Sequence, residues 1–164
     1  MAQRTEIMQN TADLLSEDIM KLVGFKLENE LFGLNILTVK EIIRMERITR
    51  VPKAPFFIEG IIDMRGIIIP VFNLRKRFNI NPDKAMEESN KIIVIEQDDK
   101  YVGLIVDSVT EVIRLPEKNV EPPPSTIGGV ESEYIIGVGK LNDLIIILLD
   151  VSKILKGLKR EPLH

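Results

Sequence analysis

The chain has 164 residues, 45% of them apolar and 29% charged, and a net charge of −3. That mix can bury a core, which excludes global disorder, and 22 basic against 25 acidic residues give no cationic field for sequence-independent nucleic-acid binding. There is no cysteine, and the single histidine is His164, so disulfides, thiolate nucleophiles and the usual imidazole base or metal ligand are all excluded.

Ile and Val supply 38 residues (25 plus 13), against 17 Leu and 4 Ala, and β-branched side chains of this kind favour pleated structure. The apolar runs Ile67–Phe72 and Leu144–Leu149 fall far short of the roughly 20 residues needed to span a bilayer, so no membrane insertion is expected. No apolar stretch follows Met1–Glu6 as a secretory signal would require, and the chain reads as cytoplasmic.

Residues 1 to 20 read as a polar tail, in which Ile7, Met8, Leu14, Leu15 and Ile19 could line one side of a helix formed on docking. From Lys21 the alternation of Val23, Phe25 and Leu27 predicts a strand, Glu28-Asn29-Glu30 a turn, and Leu31–Leu34 a second strand. Thr38 is the expected cap of a short helix over Val39 to Ile43. Val51-Pro52-Lys53-Ala54-Pro55 breaks regular structure, and Phe57 to Leu74 is β-like, punctuated by Gly60, Asp63–Gly66 and Pro70. Asp150 is the expected cap of a last helix from Val151 to about Leu158.

The chain repeats itself. Displaced by 70 residues, Lys21–Pro52 falls on Lys91–Pro122 with eight identities in 32 positions, Gly33/Gly103, Val39/Val109, Glu41/Glu111 and Arg44/Arg114 among them. Displaced by 77, Phe57–Lys76 falls on Tyr134–Lys153, matching Ile58/Ile135, Gly60/Gly137, Ile68/Ile145, Ile69/Ile146 and Lys76/Lys153. The change of offset lies in the Pro122-Pro123-Pro124 loop, where an insertion costs little. Each copy then holds about five short strands and one short helix, a composition suited to a small barrel that closes on itself. The copies are placed at about 21–90 and 91–149, with a closing helix at about 150–158.

Arg65-Gly66 reads as a hairpin turn between two apolar strands. The second copy has Asn142-Asp143 there, so the first copy alone carries a guanidinium among apolar residues, and Glu41 is its candidate partner. The clusters Arg75-Lys76-Arg77 and Lys156, Lys159, Arg160 read as solvated basic faces.

The stretch from Gly60 to Leu74, with Ile62, Arg65, Gly66, Ile68, Pro70 and Val71 at fixed spacing, resembles the motif of CheW-like domains, the adaptor modules of bacterial chemotaxis. Phe32–Ile42 and Val102–Val109 support the resemblance, which runs from about Lys21 to Leu155. Asp63 stands where the family often has Asn, which sets a second carboxylate beside Arg65 in competition with Glu41. The resemblance implies a mainly β fold of two SH3-like five-stranded barrels around a shared core, with short helices including one at the C-terminus. It implies a non-enzymatic scaffold without cofactor or metal, coupling methyl-accepting chemoreceptors to the histidine kinase CheA, and it is closest to the stand-alone adaptors. Carried over by position, a receptor-binding groove would include Val39, Glu41, Arg65, Ile92 and Val109. A kinase-binding surface would include Met45, Phe56, Phe57 and Gly60, with one of the adjacent phenylalanines left exposed.

Two rival readings are an SH3-like module for Pro-rich peptides or RNA and a small carboxylate-based hydrolase. The first wants clustered aromatics, and the chain has 6 Phe, 2 Tyr and no Trp. The second wants two converging carboxylates, whereas Glu28 and Glu30, Glu87-Glu88 and Asp98-Asp99 sit in predicted turns.

Overall fold

The computed structural model describes residues 18–156. In chain order they form β1 (Ile19–Leu27), β2 (Glu30–Asn35), β3 (Val39–Arg44), β4 (Ile58–Met64), β5 (Ile67–Asn73), α1 (Leu74–Phe78), β6 (Lys91–Gln97), β7 (Lys100–Val106) and β8 (Ser108–Pro116). There follow β9 (Val120–Glu121), β10 (Thr126–Ile127), β11 (Val130–Glu131), β12 (Ile135–Leu141), β13 (Leu144–Leu149) and α2 (Val151–Ile154). The fold is mainly β, and the helices are brief.

The strands make two curled sheets and one small hairpin, β10-β11. The first sheet has the order β8-β1-β2-β13-β12-β9 and the second β3-β6-β7-β5-β4. In each, the two edges are successive pieces of chain. β9 continues from β8 and pairs with β12. Beyond β3, Thr49 exchanges two 2.8 Å backbone hydrogen bonds with Ile61 of β4. A short pairing, β9 with β12 in one sheet and Thr49 with Ile61 in the other, thus ties the two edges of each sheet together through the intervening chain.

The registers repeat as the sequence does. Val39 pairs with Ile95, and seventy residues displaced, Val109 pairs with Phe25. The register shifts at Ile58/Gly60 on one sheet and at Ile135/Gly137 on the other. The cap repeats too: Asn73 accepts from the Lys76 N–H and Asp150 from the Lys153 N–H. Asn79, in the left-handed conformation at φ 58°, ends α1.

Sheet membership does not follow the copies drawn at 21–90 and 91–149. The second sheet is one contiguous piece, β3 to β7, whereas the first combines the β1-β2 hairpin with β8, β12 and β13. Each copy thus contributes its first hairpin to the other copy's sheet, through the parallel pairs β2-β13 and β5-β7. Three further expectations need correcting. β1 begins at Ile19, inside the expected tail. The expected helix over Val39–Ile43 is strand β3, preceded by a single 3-10 turn, Ile36–Thr38. The Thr38 hydroxyl donates back to the Asn35 carbonyl at 2.7 Å instead of capping forward, and β-branched Val39, Ile42 and Ile43 suit pairing with β6. The last helix spans Val151–Ile154 with its turn reaching Lys156, and residues 157–158 lie outside the described residues, as do Ile7, Met8, Leu14 and Leu15.

Three apolar cores hold this together. Leu22, Leu115, Ile146 and Leu148 fill the first sheet, and Ile62, Ile69, Val71, Ile92, Val94 and Ile105 fill the second. The opposite faces meet in a shared core of Phe25, Leu27, Phe32, Phe72, Ile93, Ile95 and Leu104, closed by Phe78 and Ile154 from the helices. Alternate residues of β6 therefore face different cores, which explains its unbroken run Ile92-Ile93-Val94-Ile95.

Candidate partner-binding surfaces

Arg65 and Gly66 are the two turn residues between β4 and β5, at φ 51° and 86°. From this turn the Arg65 guanidinium reaches β3, the opposite edge of the sheet, with Nη2 2.6 Å from Glu41 Oε2 and Nη1 3.2 Å from Oε1. The hydrogen bond from Arg65 holds the Glu41 carboxyl below the usual carboxylate range. Asp63 does not compete, because its Oδ1 accepts the Gly66 N–H at 2.8 Å and fixes the turn. The sequence expectation of a paired Arg65 holds, but the guanidinium is not buried: its side chain is 72% exposed.

Val39 and Val109 occupy equivalent positions on β3 and β8, one on each sheet, half-buried against the shared core. Ile92 does not join them. It is wholly buried inside the second sheet, because β6 lies between β3 and β7 with both faces covered.

The expected kinase-facing residues divide in the same way. Phe56 is 67% exposed, with its ring edge-on to Phe57 at 6.0 Å. Phe57 turns inward onto Phe72 at 5.4 Å, and its carbonyl accepts the Asn73 N–H at 2.7 Å. Met45 packs half-buried on the core of the second sheet. Gly60 is buried at the closing seam, where a Cβ would stand 2.1 Å from the Thr49 carbonyl oxygen. Its role is to let the seam close, so it cannot present a side chain or a free surface.

The cluster Arg75-Lys76-Arg77 is not the solvated face its composition suggests. Arg75 is buried, donating from Nε to Asp107 Oδ1 at 2.8 Å, from Nη2 to Asp107 Oδ2 at 2.5 Å, and from Nη1 to Glu28. Asp107 also accepts the Glu28 N–H at 2.8 Å, so three segments far apart in the chain share one ion cluster. Burial alone would favour a neutral guanidinium, and the two carboxylates outweigh it. Hydrogen bonds from Arg75 and then Asn81 hold the Glu28 carboxyl below its ordinary range. Arg77 lies over both Phe57 and Tyr134, at 4.4 and 5.1 Å from the ring centroids.

Exposed apolar residues that sequence reasoning missed stand near the same turns. Ile67 and Ile68 follow the Arg65-Gly66 turn, and Leu144 and Ile145 follow the equivalent Asn142-Asp143 turn. Ile42 and Val112 are equivalent outward positions on β3 and β8. On the first sheet, Leu31, Val112, Ile113, Leu141 and Leu144 line an open depression of ≈ 600 Å³ flanked by Lys26 and Arg114. The signal was available in the repeat, because apolar residues recur at positions that strand alternation assigns to solvent. Among the described residues no group of three or more His, Asp or Glu converges as a metal site, and no helix is long and apolar enough to cross a membrane.

A family model described as the CheW-like domain matches residues 21–159. The chain is 32% identical over 153 residues to a chemotaxis protein CheW of Treponema pallidum, covering 91% of this chain and 89% of that one. It is 34% identical over 133 residues to a chemotaxis protein CheW of Klebsiella aerogenes, covering 81% and 80% of the two chains. A crystal structure of the scaffolding protein TtCheW from Thermoanaerobacter tengcongensis superposes with a TM-score of 0.81 at 38% identity, over 89% of this chain and 99% of that one. With the motif, the duplicated sheets and nearly the whole length in agreement, the chain belongs to the CheW-like family.

Proposed function

We propose that this chain is a non-enzymatic adaptor of bacterial chemotaxis that couples methyl-accepting chemoreceptors to the histidine kinase CheA, working in the cytoplasm at membrane receptor arrays. Kinship over nearly the whole chain with proteins named for chemotaxis and scaffolding supports the role. The observation that carries the receptor side is the Arg65–Glu41 pair. An exposed ion pair adds little to folding, yet this one is bidentate and spans the two edges of a sheet, two residues along β3 from half-buried Val39. Such a fixed charge beside aliphatic side chains suits recognition of a protein surface. Val39, Glu41, Arg65 and Val109 form the receptor face of this reading. Phe56, projecting from the loop before β4, is the anchor of the kinase face, since an exposed aromatic ring suits the centre of a protein contact.

Titration of the full chain against a purified receptor cytoplasmic tip and, separately, against the CheA regulatory domain tests this reading. Binding of both, at once and without mutual displacement, is expected. Failure to bind either one overturns the adaptor reading, and capture of a Pro-rich peptide instead would favour the peptide-binding module.

A further inference from the structure

Phe57 and Tyr134 are equivalent residues of the repeat, one at the entry of β4 and the other at the entry of β12. One guanidinium serves both, that of Arg77 in α1. The position equivalent to Arg77 is Ile154 in α2, and its carbonyl accepts the Arg77 Nε–H at 2.9 Å. Nη2 donates to the Lys156 carbonyl at 3.1 Å, so the guanidinium satisfies acceptors at the C-terminal end of α2. Arg77 is thus held by α2 and lies over Tyr134 at the entry of the first sheet's β12 while also lying over Phe57 at the entry of the second sheet's β4.

The Phe57 ring anchors the loop that bears Phe56. Between Val51 and Ile58 the backbone hydrogen bonds are local, from Ala54 N–H to the Val51 carbonyl and from Ile58 N–H to the Pro55 carbonyl, save that the Phe57 carbonyl accepts the Asn73 N–H of β5 at 2.7 Å. Phe57 is gripped by Phe72 and by Arg77, and adjacent residues in so short a turn cannot both face inward. We propose that Arg77 is a positioning residue: it ties the first sheet to Phe57 and so fixes Phe56 in its outward, partner-ready orientation. Only an arginine combines a flat face for stacking with a fork for carbonyls, and lysine offers neither. The part of the proposal that concerns binding rests on Phe56 being the kinase anchor.

The full chain labelled with 4-fluorophenylalanine gives six fluorine signals, one for each phenylalanine. In Arg77→Lys the signals of Phe56 and Phe57 are expected to move while those of Phe25 and Phe32 stay in place. Calorimetric titration with the CheA regulatory domain is expected to show about a tenfold loss of affinity, the same as in Phe56→Ala, and no further loss when the two are combined. Arg77→Gln keeps a planar donor and is expected to retain part of the wild-type spectrum; it decides the matter if Arg77→Lys does not fold. Unmoved Phe56 and Phe57 signals overturn the proposal. So does wild-type affinity in Arg77→Lys alongside weakened binding in Phe56→Ala. Moved signals with wild-type affinity in both variants uphold the positioning role and overturn the kinase-face assignment instead.

Discussion

Gly60 and Thr49 meet so closely that no side chain fits between them: a Cβ on Gly60 would lie 2.1 Å from the Thr49 carbonyl oxygen, at φ +153°. The obstacle is backbone, and it is the backbone whose hydrogen bonds to Ile61 close the second sheet. Gly60→Ala is therefore expected to lower the stability of the protein by about 3 kcal/mol, through overpacking and a strained φ. Gly66→Ala, at φ +86° with open space around it, is expected to cost only about 1 kcal/mol. Urea denaturation of both variants checks the order.

The Arg65–Glu41 pair predicts a pattern in binding. Charge reversal at either residue is expected to weaken receptor-tip binding while leaving the melting temperature nearly unchanged, because both side chains reach solvent. The double reversal, Glu41→Arg with Arg65→Glu, is expected to recover part of the affinity. A double variant no better than the worse single one rules out the pairing as the operative contact.

Val39 and Ile92 predict opposite failures. Val39→Asp and Val109→Asp are expected to lose receptor binding by two or three decades, about 3–4 kcal/mol, with the fold retained, since both side chains are only half-buried. Ile92→Ala is expected to destabilise the protein by about 2–4 kcal/mol and to change partner affinity only through the folded fraction, because Ile92 is 0% exposed. Thermal denaturation beside the titrations separates the two effects.

The Arg75 cluster predicts an acid limb. The folded-state pKa of Glu28 is depressed, so its contribution is present above the unfolded carboxylate value of about 4.3 and is lost as pH falls through the lower folded value. Glu28→Gln is expected to flatten the fall in stability as pH drops below the unfolded carboxylate value of about 4.3, measured by denaturant titration at each pH. Asp107→Asn, which strips buried Arg75 of its bidentate acceptor, is expected to cost about 3 kcal/mol at neutral pH.

An adaptor without turnover predicts an optimum dose. Receptor-coupled kinase activity is expected to rise with added protein, pass through a maximum and fall once the adaptor exceeds both partners and occupies them separately. Assay over about a hundredfold concentration range checks this by mass action. Activity at concentrations far below both partners would instead mean catalysis.

The sequence by itself determined most of the strands, though not β3, which it read as a helix, together with the tight turns and the duplication. These rest on short-range patterns: the alternation of Val23, Phe25 and Leu27, the Arg65-Gly66 turn, and the Gly60/Gly137 match. The capping of α2 by Asp150 was legible for the same reason. Only the tertiary structure decided which strands share a sheet. A repeat has no intrinsic starting point, so identity at offsets of 70 and 77 is the same wherever the copies are cut. The non-local pairs β2-β13 and β5-β7 fix the division, placing 39–106 in one sheet and dividing the other between both ends of that segment. The same holds for single residues. Ile92 and Val39 look alike in sequence, and burial between two neighbouring strands separates them. Arg75 and Arg77 read as a basic cluster because the groups that bind them, Asp107 and the Ile154 carbonyl, lie 32 and 77 residues away along the chain.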